Sequence, residues 1–87
     1  MIIFFHKNFE KQYKKLQPKI KEKVKERQKI FLADPFDPVL NNHKLQGKDS
    51  WLRGLDITGD YRLHYEAISD DRVLFRAIGT HHELYGS

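Results

Sequence analysis

The amino-acid sequence predicts a single α+β domain, with two helices covering one face of a mainly antiparallel sheet. Three observations lead there. Apolar residues recur at helical spacing between Phe9 and Phe31. After Pro35 and Pro38 the period changes, and Tyr61-Arg62-Leu63-His64-Tyr65-Glu66-Ala67 alternates as a half-buried strand does. The 87 residues suffice for one modest core and leave little for a second.

The elements follow in order. Met1 to Phe5 is short and almost wholly apolar, and reads as a buried strand. Asn8 is a candidate helix cap. Phe9, Tyr13 and Leu16 then share one helical face at i, i+4 and i+7. Pro18 ends that helix or opens the next. Ile20, Val24 and Phe31 continue the stripe, and Ile30 widens it. Asp34-Pro35 and Asp37-Pro38 stop the second helix and begin an irregular loop. Two helices so near in sequence form an antiparallel hairpin. Leu45, Trp51, Leu55 and Ile57 mark the next apolar positions, with Trp51 and Tyr65 expected in the core. Leu63, Tyr65 and Ala67 face the core, while Arg62, His64 and Glu66 take the other face. Gly59-Asp60 suits a hairpin connection, Ser69-Asp70-Asp71 is a turn, and Arg72 to Ile78 is the last strand. The domain is therefore an N-terminal strand, a helical hairpin and a three-stranded meander over residues 1–87.

Composition narrows the function. There are no cysteines, which excludes a disulfide scaffold and a thiolate metal site and fits a cytoplasmic location. No apolar run approaches the roughly 20 residues that span a bilayer. The first residues lack the basic start and long apolar stretch of a signal peptide. The net charge of +4 is uneven. Residues 7–29 hold nine lysines and one arginine against three glutamates, a local balance of +7. Lys11, Lys14, Lys15, Lys21 and Lys25 lie off the apolar stripe, and a basic surface of that kind suits RNA or an acidic partner. Arg53 and Arg76 are further candidates for contact with RNA.

The chemistry is concentrated at the end of the chain. After the last strand come Gly79-Thr80-His81-His82-Glu83-Leu84-Tyr85-Gly86-Ser87, with two histidines and a tyrosine. Histidine exchanges protons near neutral pH. Upstream, His43 lies just before the sheet, Asp60 opens the Tyr61 strand, and Arg62 and His64 project from its polar face. Arg, His, Asp and Tyr on one open face are what cleavage of RNA by its own 2′-hydroxyl requires: a base, an acid and a fixed cation. No metal or other cofactor is needed. His43, His64 and His81 lack the spacing of a metal motif. His43, Asp60, Arg62, His64, His81, His82 and Tyr85 are all candidates for that chemistry.

Three stretches resemble a known family: Asn42-His43-Lys44-Leu45-Gln46-Gly47, Gly59-Asp60-Tyr61-Arg62-Leu63-His64-Tyr65, and Ile78-Gly79-Thr80-His81-His82-Glu83-Leu84-Tyr85. In this order they are similar to the toxins of the RelE/ParE superfamily of bacterial type II toxin–antitoxin systems, and within it to the YafQ-like branch of ribosome-dependent mRNA interferases. The resemblance places His43, Asp60 and His81 at catalytic positions of that branch, Tyr85 at its C-terminal aromatic, and Arg62 at the central-strand arginine of RelE. That branch carries one more histidine in the turn before the Asp60 strand, where this chain has Ile57 or Thr58. His64, on the same face, is the candidate to replace it.

The resemblance implies cleavage of mRNA in the ribosomal A site and inhibition by a cognate antitoxin, with operator DNA bound only through the antitoxin complex and no membrane partner. Two other functions fit the fold: a ParE-like toxin that poisons DNA gyrase, and a non-enzymatic RNA-binding module using the basic helices.

Overall fold

The computed structural model describes residues 1–86; Ser87, the end of the C-terminal segment singled out above, lies outside the described residues. The chain runs β1 (Ile2–Phe5), α1 (Lys7–Lys14), α2 (Pro18–Ala33), β2 (His43–Lys44), β3 (Arg53–Asp56), β4 (Tyr61–Ser69), β5 (Arg72–Thr80) and α3 (His81–Tyr85). Short 3-10 turns at Pro38–Leu40 and Gly47–Asp49 flank β2. The sheet order is β1-β5-β4-β3-β2. The expected meander is present and longer by one strand, because His43 and Lys44 pair antiparallel with Gly54 and Arg53. β1 joins the other edge, parallel to β5.

Each helix starts and stops for a local reason. His6, not Asn8, caps α1: its Nδ1 accepts from the Asn8 amide at 3.0 Å. Asn8 lies inside the helix, and its side chain donates to the Arg76 carbonyl at 3.0 Å. Pro18 takes the first position of α2, where its missing N–H costs nothing. Lys21 Nζ lies 5.8 Å from the centre of the Tyr13 ring, and Val24, Lys25 and Gln28 share a groove with Phe9, Glu10 and Tyr13, so α2 runs back along α1.

The core lies between the helices and one sheet face. Phe9, Val24, Phe31 and Leu40 pack on Leu55, Ile57, Leu63, Tyr65, Val73, Phe75 and Ile78. Phe31 meets Tyr65 and Phe75 edge-on at 5.1 and 5.7 Å. Burying a side chain such as Phe75 contributes roughly 1.5–3 kcal/mol by transfer alone. Five residues expected in the core are not buried. Ile2, Phe4 and Phe5 are about half exposed, because β1 is an edge strand with one neighbour. Ala67 is exposed beside an irregularity at Ile68 near the end of β4. Trp51, 53% exposed, precedes β3 and lies outside the core.

A β-bulge shapes β5. His64 pairs with Ala77 and Tyr65 with Phe75, leaving Arg76 as an extra residue. The inward series Val73, Phe75 would otherwise continue at Ala77. The bulge moves it to Ile78, which is fully buried. Where β1 ends, α1 closes the edge of β5: Asn8 takes the bulge carbonyl, and Gln12 Oε1 accepts from the Ile78 amide at 2.8 Å.

Candidate active site

Two cross-strand rows on the open face build the site. The first runs His43, Gly54, His64, Ala77 and the second Asp56, Arg62, Gly79. Both rows depend on a glycine. A Cβ on Gly54 would lie 3.2–3.3 Å from the His43 ring, so the absent side chain leaves room for that ring against the sheet. A Cβ on Gly79 would meet Glu83 Oε1 at 3.0 Å, so the small residue lets α3 fold back over its own strand.

That fold-back is held by a capping box. Thr80 Oγ1 accepts from the Glu83 amide at 3.1 Å, and Glu83 Oε1 accepts from the Thr80 amide at 2.8 Å. Hydrogen bonding from the Thr80 amide, and secondarily from its hydroxyl, holds the Glu83 carboxyl below its ordinary pKa. The His81 amide donates to the Asp60 carbonyl at 2.9 Å, tying α3 to the β3–β4 turn. The result is a file of rings: Tyr85 meets His64 edge-on at 4.9 Å and His81 at 4.4 Å.

Beneath these rings is an open cleft of about 450 Å³, lined by His43, Leu45, Asp49, Asp56, Arg62, His81 and Tyr85 among others. The cleft thus gathers four of the five catalytic candidates that the resemblance placed, His43, Arg62, His81 and Tyr85. The fifth, Asp60, is exposed in the turn; its carbonyl anchors His81, and its carboxylate does not line the cleft. His82 is exposed and is also outside the lining.

The environments of these groups differ. His43 Nδ1 lies 2.7 Å from the Asn41 carbonyl. A carbonyl only accepts, so Nδ1 carries the proton and Nε2 of the neutral ring keeps its lone pair. Asn41 presents that carbonyl from a left-handed backbone conformation, φ 48°. His64, expected on the open polar face, is 6% exposed, and its Nε2 has no hydrogen-bond partner among the described residues. Burial lowers its pKa; Asp49 opposes that shift and His43 adds to it. Burial likewise raises the Tyr85 phenol, against Arg62 and together with Asp56 and Asp49, so the phenol stays protonated at neutral pH.

Arg62 is less free than an open-face arginine was expected to be. Its Nε pairs with Asp56 Oδ1 at 3.1 Å. Its Nη1 donates to the carbonyls of Thr58 at 2.7 Å and Tyr61 at 3.0 Å, and its Nη2 to Gly59 at 3.3 Å. One Nη2 proton remains for a ligand. Asp49 and Asp56 were missed by sequence reasoning. A hairpin centred on Gly59 places 56 opposite 62, and that register was the available signal.

The remaining cationic candidates are dispersed. Lys11, Lys14, Lys15 and Lys25 are exposed on the helical side, and Lys21 is half-buried against Tyr13. Arg53 bonds Asn42 Oδ1 at 2.7 Å and covers Phe36. Arg76 pairs with Glu66 at 3.1 Å and covers Trp51. Among the described residues no group of three His, Asp or Glu side chains is placed to hold a metal ion. No helix among them is long and apolar enough to cross a membrane.

A five-stranded sheet backed by a helical hairpin, with histidines and an arginine on its open face and a short C-terminal helix folded over them, defines the class of RelE-like toxins. The family model for the ParE toxin of the type II toxin–antitoxin system parDE matches residues 3–85, and the chain belongs to that family, within the RelE/ParE superfamily. It is similar in structure to YafQ from E. coli, with a TM-score of 0.81, 26% identity and 98% of each chain covered. YafQ in its complex with the antitoxin DinJ gives 0.79 at 26% identity, covering 98% of this chain and 97% of that one. A YoeB/ParE toxin from Agrobacterium tumefaciens shares the fold at 0.77 and 18% identity, over 93% of this chain and 99% of that one. Sequence comparison with curated proteins gives no match. The protein is a toxin of a type II toxin–antitoxin system.

Proposed function

We propose that the chain is an endoribonuclease that cleaves mRNA on the ribosome by metal-independent acid–base chemistry. The observation that carries this reading is that His43 and His81 line the same cleft, with the His43 tautomer set by Asn41. In this reaction His43 Nε2 takes the proton of the 2′-hydroxyl. The 2′ oxygen bonds to phosphorus, the bond to the 5′ oxygen breaks, and protonated His81 gives its proton to that oxygen. The products are a 2′,3′-cyclic phosphate and a 5′-hydroxyl end. The protonated Tyr85 phenol and the remaining Arg62 N–H donate to phosphate oxygens as charge builds there. Asp56 and the turn carbonyls keep the guanidinium in place, so it need not reorganise during the step. Asp60 acts through the backbone by anchoring His81.

The partners follow from the same reading. The resemblance to the YafQ-like branch points to the ribosome with mRNA in its A site. A cognate antitoxin is the inhibiting partner, and operator DNA is reached only through the antitoxin complex. The apolar groove between β1, α1 and α2, lined by Phe5, Phe9, Tyr13 and Val24, suits an amphipathic antitoxin segment. The match to the ParE model favours one alternative, poisoning of DNA gyrase. In vitro translation followed by primer extension on the message separates the two. Ribosome-dependent cuts that vanish with His81→Ala support the nuclease. Gyrase-linked DNA breaks without RNA cuts support the alternative.

A further inference from the structure

Beyond the cleft, the open face carries a second constellation that catalysis does not use. Trp51 precedes β3, with the Arg76 guanidinium 4.9 Å from the centre of its ring. Glu66 Oε1 holds Arg76 Nη1 at 3.1 Å. The bulge at Arg76 makes this possible, because it gives β5 two consecutive outward residues, Arg76 and Ala77. Glu66 follows His64 by two residues on the same face of β4. At about 3.3 Å per residue it lies roughly 7 Å further along the strand. The constellation therefore continues the line Arg62, His64 away from the cleft. Trp51 also follows Asp49, which lines the cleft, by two residues.

An indole with one face against a guanidinium, and still 53% exposed, presents its other face to solvent. Leaving such a ring in water is unfavourable, and fixing it with an ion-paired arginine makes it a rigid flat surface. Flat aromatic surfaces beside a site that acts on a nucleic-acid strand receive bases, because every base has a π-face. A protein partner would more often need apolar surface around the ring, whereas the group placed against this ring is the Arg76 guanidinium, itself paired with Glu66.

We propose that Trp51, clamped by Arg76 and Glu66, is a stacking platform for an unpaired base of the substrate RNA next to the nucleotide in the cleft. This rests on the nuclease reading above and adds a subsite to it. The platform binds any base by stacking, so it contributes affinity and register more than sequence choice.

Trp51 is the only tryptophan in the chain, so its emission reports the platform directly. The test combines cleavage of ribosome-bound message with titration of the isolated toxin by a short single-stranded oligoribonucleotide. Trp51→Ala should lower kcat/KM for cleavage about tenfold, chiefly through KM, and Trp51→Phe should stay within about threefold of the unaltered toxin. The oligoribonucleotide should quench Trp51 emission saturably, and Arg76→Ala should weaken that quenching. Thermal unfolding of each variant checks that the fold is retained. If the toxin cleaves but Trp51→Ala cleaves as well as it does, or emission is insensitive to RNA, the platform is overturned and the nuclease reading stands. Quenching by the antitoxin and not by RNA would assign the patch to a protein partner and overturn the platform too. If the unaltered toxin cuts no message, the nuclease reading and the platform fall together.

Discussion

The helical side and the open sheet face treat charge in opposite ways. The helices carry most of the positive charge, yet most of their lysines are exposed and hold no fixed partner; the pair Lys23–Glu26 at 3.2 Å is an exception. The sheet face carries fewer cations, and Arg62 and Arg76 on it are gripped. Arg62 is held by a carboxylate and three carbonyls, and Arg76 by a carboxylate and a ring. Attraction to a polyanion acts at a distance and needs no set geometry. Proton transfer and charge stabilisation require atoms held within tenths of an ångström. On the proposed nuclease function, the difference separates a surface that gathers substrate from one that transforms it.

The sharpest test of that division is His81→Ala. Loss of a positioned proton-transfer group should slow cleavage by roughly 100-fold or more, while unfolding temperature changes little, since α3 lies beyond the core. Single-turnover rates on programmed ribosomes measure it, with His82→Ala as the milder control. Rates for His81→Ala within a few-fold of normal would remove His81 from the mechanism.

Arg62→Ala should affect both stability and rate. It leaves Asp56 and the turn carbonyls without their donor, at a cost of roughly 1–3 kcal/mol. Denaturant titration alongside kinetics resolves the two effects. Arg62→Lys should recover only part of either, because one ammonium cannot reproduce the planar fork. Complete recovery would mean that charge alone matters here, erasing the contrast with the helices.

Replacing Lys11, Lys14, Lys15 and Lys25 by Gln should leave the fold and the bound single-turnover rate unchanged. Ribosome association should weaken, and its log–log salt slope should flatten by roughly 0.7–0.9 for every phosphate no longer neutralised. Unchanged association would reduce these lysines to a solubilising face.

The smallest effect concerns His64. Its folded pKa is lowered by burial, so the unfolded chain binds a proton more readily. Its stabilising contribution is full above the ordinary histidine value of about 6.5 and is lost as pH falls through the lower folded value. Unfolding followed from pH 7 to 5 should show that decline, and His64→Phe should reduce it. A decline that persists in His64→Phe would assign it to another group.

Much of this was legible in the chain because periodicity reports burial. The helical stripe, the Tyr61 strand and the C-terminal turn to histidine all follow from spacing. Two things escaped. β1 reads as buried because Ile and Phe dominate it, and nothing local reveals that it lies at an edge. The bulge escaped because Arg72-Val73-Leu74-Phe75-Arg76-Ala77-Ile78 looks regular until Ile78, and one skipped residue is visible only in the pairing. The site divides similarly. His43, His81 and Tyr85 announce themselves by residue type. Asp49, Asp56, Gly54 and the exposure of Trp51 depend on which strands end up side by side.

The bulge also has a consequence for how the fold can vary. Removing Arg76 would leave Val73, Phe75 and Ile78 inward and Leu74, Ala77 and Gly79 outward in unbroken alternation. Arg76 is therefore an insertion that the barest form of the strand does not need. A chain lacking it should fold with the same residues inside, as thermal unfolding and amide exchange along β5 would show. New groups can thus be spliced onto the working face one residue at a time, and a shared scaffold can diverge in what it grips without renegotiating its core.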